Sequence, residues 1–385
     1  MAYRAVDRAV HGFQLVGTWL SSPAMSDLLA LLDEEADAFP HELAAGRFHL
    51  NEELPAWLAP LLLDAHDIAA SLPGELVELL RRVLTVEQAA AAAFNFRSRD
   101  GVNYKERSQA VKADFSEQTR SRVLDLTTDL GLVTPQPTRF SSYAKTIVLG
   151  GGYRSPLLRS RYTAQVQSTG IDLGELSFLG SPRPLIEEPP EQVVTQAYAP
   201  EAVDEFDLML AAARSEFGLE AAKTLFLCGC ASSEHPCPAW KARDAAGAAG
   251  TPAAFTHERQ THLIDDGGEA VGSVFSASTG RPPYRPDTSD TFALWARYTQ
   301  PRLGQRVLVV TTQMFVPFQL FEGLRWLYLP FSLDLDVVGL GVEWGDRPQT
   351  AESLLQEVLS AIRSARRLLV DCAEVLVKRG PDTSE

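Results

Sequence analysis

Apolar positions in the first third of the chain recur at helical spacing. In "MSDLLALLDEE", Met25, Leu28, Leu29 and Leu32 fall on one face, and Ser22-Pro23 supplies a start signal. "PGELVELLRRVL" and "TVEQAAAAAF" predict two further helices divided near Thr85. "NYKERSQAVKADFSEQTRSRVLDLTTDLGLV" predicts a long polar helix that ends at Gly131. Periodicity then stops at "TPQPTRFSS", whose two prolines and lack of pattern read as a linker.

Beyond the linker the texture changes to short continuous apolar runs. "KTIVLGGG", "ELSFLGS", "KTLFLCGC", "QRVLVVTTQ" and "LDVVGLG" read as buried strands. Between them lie helical segments: "VDEFDLMLAAARSEFGLE", "DTFALWARYTQ" and "FVPFQLFEGLRWLYL". A last helix is expected from Glu352 to about Val377. Strands that alternate with helices predict an α/β fold, a Rossmann-like parallel sheet with helices on both faces, joined to an all-α N-terminal domain. The expected domains are 1–135, helical, and 136–385, Rossmann-like. The Ala-, Gly-, Ser- and Pro-rich segment 231–286 has little periodicity and reads as an insertion.

A length of 385 residues fits two cores better than one. No run of eighteen apolar residues occurs, so no membrane span is expected. The N-terminal stretch lacks the apolar run of a signal peptide, which points to a cytoplasmic protein. A net charge of −15 disfavours nucleic acid and anionic membranes as partners. It leaves room for a small anionic ligand met by a local arginine cluster. Oligomeric state stays open, a homo-oligomer included.

The chemistry concentrates at strand ends. In an open parallel sheet, ligands bind beyond the carboxyl ends of the strands. "IVLGGG" is such an end. Gly150, Gly151 and Gly152 let the backbone turn tightly and approach a ligand, and the following helix aims its amino end at the same place. Arg154 and Arg159 are candidates to meet an anion, with Arg161 nearby. Ser181, Thr311 and Thr312 fall at two other strand ends, and Thr288 and Asp290 just before a helix. The plainer reading of the same residues is a tight turn, solvated arginines and a helix cap. The spacing is neither that of a dinucleotide fingerprint nor that of a P-loop.

"VLGGG", "FLGS", "EFDLM", "PDTSDT" and "VVTTQ", in this order, resemble the YdcF/SanA/ElyC-like family of small Rossmann-like proteins over about Ala144 to Leu340. The resemblance implies a ligand on the glycine rim, of the nucleotide or S-adenosylmethionine class. Two family positions depart from the pattern: the His after the last motif strand falls at Phe315 and the Arg at Phe318. The Glu-Asn pair becomes Asp290-Thr291.

The segment "LCGCASSEHPCPAW" brings Cys228, Cys230, His235 and Cys237 together. Four such ligands suffice for zinc, although the spacing is not a common zinc pattern. A reactive thiol at Cys230 or Cys237 and a purely structural loop are the other readings, the last being favoured. In "THERQTHLIDDGG", His257, Glu258 and His262 are acid–base candidates if the segment folds over the rim. Cys372 sits in an apolar helical run and reads as a core residue. The expectation is therefore an enzyme or binder of a small nucleotide-like or phosphate-bearing ligand, with specialised metabolism as a setting. A non-catalytic interaction protein and a metal-dependent hydrolase are the alternatives.

Overall fold

The computed structural model describes residues 5–34, 72–96, 112–186, 190–228, 257–280, 285–346 and 348–379. Along the chain these form α1 (Ala5–Leu20), α2 (Pro23–Glu34), α3 (Gly74–Ala93), α4 (Glu117–Asp129), β1 (Lys145–Leu149), α5 (Ser155–Ser168), β2 (Glu175–Gly180), α6 (Glu191–Thr195), α7 (Glu205–Phe217) and β3 (Glu220–Cys228). There follow β4 (His257–Ile264), β5 (Ala270–Ser276), α8 (Thr288–Thr299), β6 (Arg306–Thr312), α9 (Val316–Gly323), β7 (Asp334–Leu340) and α10 (Ala351–Arg379). No described helix is long and apolar enough to cross a membrane.

The elements sort into two units. One comprises Met1–Thr134, Gln313–Ser332 and Arg347–Glu385; the other comprises Pro135–Thr312 and Leu333–Asp346. The helical unit is thus not the N-terminal third alone. It also takes in α9 and α10, which the sequence reading assigned to the sheet domain.

In the helical unit, α10 is the common partner of α1, α3, α4 and α9. Its residues Leu355, Val358, Leu359, Ile362, Ala365 and Leu369 recur at three- and four-residue spacing and are buried. Helices α1 and α10 approach closely at Gly12, where a Cβ would lie 3.1 Å from Cys372 Sγ. Cys372 is indeed a core residue, and burial pushes its thiol pKa upward. The expected break near Thr85 is absent: α3 runs through it, and the Thr85 hydroxyl donates to the Arg81 carbonyl at 3.2 Å. Of the expected long polar helix, residues 103–111 lie outside the described residues; 112–116 are not helical, and α4 begins at Glu117, where the Ser116 side chain caps the Thr119 N–H at 3.1 Å.

Charged groups are buried between these helices. Arg366 donates to Glu87 at 2.5 Å, and Arg363 lies 3.6 Å from the same carboxylate. Ser364 donates to Glu322 at 2.7 Å, and Glu352 accepts from Arg120 and from the Ala113 N–H. These bonds fix how α10 is rotated and shifted against its neighbours, which an apolar stripe alone does loosely.

The sheet unit has seven strands in the order β3-β4-β5-β2-β1-β6-β7. The five from β5 to β7 are parallel; β4 pairs antiparallel with both β5 and β3. Every residue of β1 is buried, as expected of a central strand covered on both faces. Helices α5 and α7 pack on one face, over Val148, Phe178, Val274, Leu308 and Val310. Helix α8 contacts β2 and β5, on the face that carries Phe275. The segment 231–286, expected to be an insertion, contributes β4 and β5 to the sheet, and β5 belongs to its parallel core.

The Glu87 carboxylate is 1% exposed and Arg366 3%. Removing one partner of a buried pair leaves the other charge poorly compensated. Glu87→Ala is therefore expected to destabilise the helical unit by about 3 kcal/mol, read from urea unfolding followed by circular dichroism.

Candidate functional site

The order of the strands locates the site before any side chain is considered. From β1 the chain passes through α5 to β2 on one side, and β5 lies beyond β2; β6 then returns on the other side of β1. The direction of strand addition reverses between β1 and β6. At such a switch point the connections leave in opposite directions and open a crevice at the carboxyl ends. The carboxyl end of β1 is Gly150–Gly152, and that of β6 is Thr311-Thr312.

One buried guanidinium joins these two ends. Arg159, 4% exposed, donates through Nη1 to the carbonyls of Leu149 (3.0 Å) and Gly150. Through Nε and Nη2 it donates to Thr312 Oγ1 at 3.2 and 3.0 Å. The Thr312 hydroxyl donates in turn to Asp346, whose other oxygen accepts from Ser155 Oγ at 2.7 Å. Asp346 follows β7 after a short turn and is partly exposed.

A second polar group borders the corner on the β2 side. Ser181 Oγ donates to Glu205, which stands at the amino end of α7. A Cβ at Gly150 would overlap both this carboxylate and the Leu179 carbonyl. Beside it, Arg183 makes a bidentate pair with Glu191, both bonds 2.9 Å. Glu191 is fully buried and also accepts from the backbone N–H groups of Tyr153 and Ile186. Burial alone would raise the Glu191 pKa; the Arg183 hydrogen bonds and charge, with those two N–H groups, hold it below the usual carboxylate range. Tyr198 donates to the Tyr153 carbonyl at 2.6 Å. Its phenol pKa is pushed up by burial and then by the charges of Glu191, Asp346 and Glu205. The corner is thus ringed by three carboxylates and two paired arginines.

The glycines meet several of these demands by lacking a side chain. Gly151 has φ 156°, and a Cβ on Gly152 would lie 2.9 Å from both Arg183 Nη2 and Glu191 Oε1. All three glycines are nonetheless partly exposed, so the main-chain corner is not sealed. Arg154, at the N-cap of α5, is exposed, and its side chain bonds to no described residue.

The other predicted residues divide clearly. Ser181 and Thr312 sit at the corner, bonded as described. Arg161 pairs with Glu216 at 2.9 Å and does not face it. Thr311 is fully buried, with its hydroxyl unpaired among the described residues. Asp290 completes a capping box with Asp287 at the start of α8, which is the plainer reading for that residue, and Thr288 is the first residue of the helix rather than its cap.

His257, Glu258 and His262 do not converge. Side chains alternate along β4, so His257 shares a face with Arg259, which bonds Asp204, while Glu258 and His262 share the other. Glu258 is taken up by Arg297 and Ser278 at 2.6 and 2.8 Å. His262 faces Ser273, well below the rim. Three strand spacings, about 14 Å, separate β4 from β1. Cys230, His235 and Cys237 lie outside the described residues; Cys228 ends β3. Among the described residues no three His, Cys, Asp or Glu side chains are placed to hold a metal ion.

Sequence reasoning missed Arg183, Glu191 and Asp346. Glu205 carried a signal, as one of the two acidic residues in "EFDLM".

No family model and no solved structure matches the chain. The uncharacterized proteins Rv3785 of Mycobacterium tuberculosis and Mb3814 of Mycobacterium bovis are each 31% identical to it over 283 residues, which is 67% of this chain and 68% of theirs. The chain belongs to the family of these mycobacterial proteins.

Proposed function

We propose that the sheet unit binds a small ligand of the nucleotide or S-adenosylmethionine class over Gly150–Gly152, as an enzyme or as a binder. The observation that carries this reading is the coincidence of the β1/β6 switch point with a partly exposed glycine corner and an exposed Arg154. The positive end of the α5 dipole and the Arg154 guanidinium suit a phosphate or carboxylate, although Pro156 offers no N–H and the Ser155 N–H already donates to the Gly152 carbonyl at 3.2 Å. Glu205 and Asp346, both partly exposed, suit ribose hydroxyls, as acidic residues do at the rim of dinucleotide-binding sheets. The likeness to YdcF/SanA/ElyC-like proteins supports the same reading, and a cytoplasmic setting and a role in specialised metabolism form part of the proposal.

One observation favours a second reading, a non-catalytic interaction protein. Arg159 and Arg183 are both committed to internal partners, and the close approach at Gly150 and Gly152 is already made by Glu205 and the Arg183–Glu191 pair. On that view the glycines serve packing alone.

Thermal unfolding with ATP, ADP, S-adenosylmethionine and glucose 6-phosphate separates the two. A ligand at a hundred times its Kd adds about 2.7 kcal/mol of stability, so at least one compound is expected to raise Tm. Arg154→Glu is expected to abolish that rise and leave the Tm of the unliganded protein unchanged. If no compound raises Tm, the binding reading fails.

Glu191 gives a pH test of what holds the corner. Its folded pKa lies below its ordinary value of 4.5, so its ionised form favours the fold. That contribution is complete above about pH 4.5 and is lost as pH falls through the folded value. Glu191→Gln is expected to be less stable than the parent at pH 7, with the gap narrowing as pH falls below 4.5. Urea titrations of both proteins at pH 7 and at a series of acid values measure it; a gap independent of pH contradicts the assignment.

A further inference from the structure

The face of the sheet that carries His262 holds a groove apart from the rim. It lies by the amino-terminal ends of β1, β2 and β5, has a volume of about 490 Å3, and is bordered by Lys145, Glu175, Gln260, His262, Ser273 and Tyr298. Its size falls in the range of small-molecule sites.

Three kinds of surface meet there. Tyr298 stacks on Phe275, with ring centroids 6.4 Å apart and planes at 29°, which makes a flat apolar wall; Tyr298 keeps 37% of its surface exposed. On β4 and β5, His262 and Ser273 are register partners, with Nδ1 and Oγ 3.2 Å apart, and the Gln260 amide stands on the same face. At the far side, Lys145 and Glu175 are paired with each other. Next to Ser273 in register is Ser177 of β2, fully buried, whose hydroxyl has no partner among the described residues.

The charges decide what kind of ligand fits. In a chain with a net charge of −15, the charged groups of this groove cancel within it. A strongly charged ligand would have to break the Lys145–Glu175 pair. The remaining groups, an amide, an imidazole and hydroxyls, both donate and accept hydrogen bonds. Hydrolysis by a Ser273–His262 pair is disfavoured by placement: Ser273 is mid-strand, between two ladder partners, and offers no pair of free backbone N–H groups to hold an oxyanion. We propose that this groove binds a small uncharged heteroaromatic ring, its flat part against Tyr298 and its polar edge on Gln260 and His262.

Saturation-transfer NMR on the full chain, with adenine and with nicotinamide as probes, tests this. Saturation is expected to reach at least one of the two rings. Aromatic contacts to a base are worth roughly 1–3 kcal/mol, so Tyr298→Ala is expected to weaken binding about fivefold or more. His262→Leu, at an exposed position, is expected to weaken it as well, and Arg154→Glu to leave it unchanged. Should Tyr298→Ala not fold, His262→Leu decides alone. No transfer to either ring, or binding that both groove variants retain at the parental strength, overturns the proposal; loss in Arg154→Glu alone would assign the signal to the rim and overturn it too.

Discussion

The sheet unit depends most on the Arg159 guanidinium. A parallel sheet ends in carbonyls that no neighbouring strand satisfies, and the switch point separates two such ends. Arg159 spans them, with the Leu149 and Gly150 carbonyls on one side and Thr312 on the other. Burying a guanidinium is costly unless its donors are met. Here the Thr312 hydroxyl accepts twice from Arg159 and donates to Asp346, so the positive charge reaches a carboxylate through a polarised chain. The helix that carries Arg159 starts at Ser155, which binds that same carboxylate. Strand ends, helix start and the turn after β7 therefore share one network.

What was legible in the sequence follows from how local each signal is. Strands β1, β2, β6 and β7 are apolar runs because both faces are covered, and composition reveals that directly. Strand β4, "HERQTHLI", is polar on both faces: Arg259 turns to Asp204 on one, and Glu258 to Arg297 on the other. Its polarity is satisfied by partners far along the chain, so nothing nearby marks it as a strand, and β5 was lost with it. The glycine corner was legible because a tight turn leaves a local trace. Asp346 was not, since its partners Thr312 and Ser155 lie 34 and 191 positions away.

Arg159 shows the limit from the other side. Its position after the glycines was visible, and so was its charge. Its partners were not, because a charge that serves a ligand and a charge that ties strand ends look alike until burial is known. Arg154, five residues earlier at the N-cap of the same helix, is exposed where Arg159 is buried.

On the proposed binding reading, the corner's electrostatics constrain the ligand. Arg159 and Arg183 are each tied to groups of the fold, while Glu205 and Asp346 each keep part of their surface open. Arg154 and the amino end of α5 are what remains to receive negative charge. A ligand that is anionic throughout would meet one favourable site and two opposing carboxylates. A ligand with a single anionic end and a body of hydroxyls meets both kinds of group on their own terms, since a carboxylate accepts readily from a hydroxyl. By the same reasoning a sugar or nucleoside with one phosphate suits this corner better than a triphosphate, whose charge would have to be carried by a bound cation.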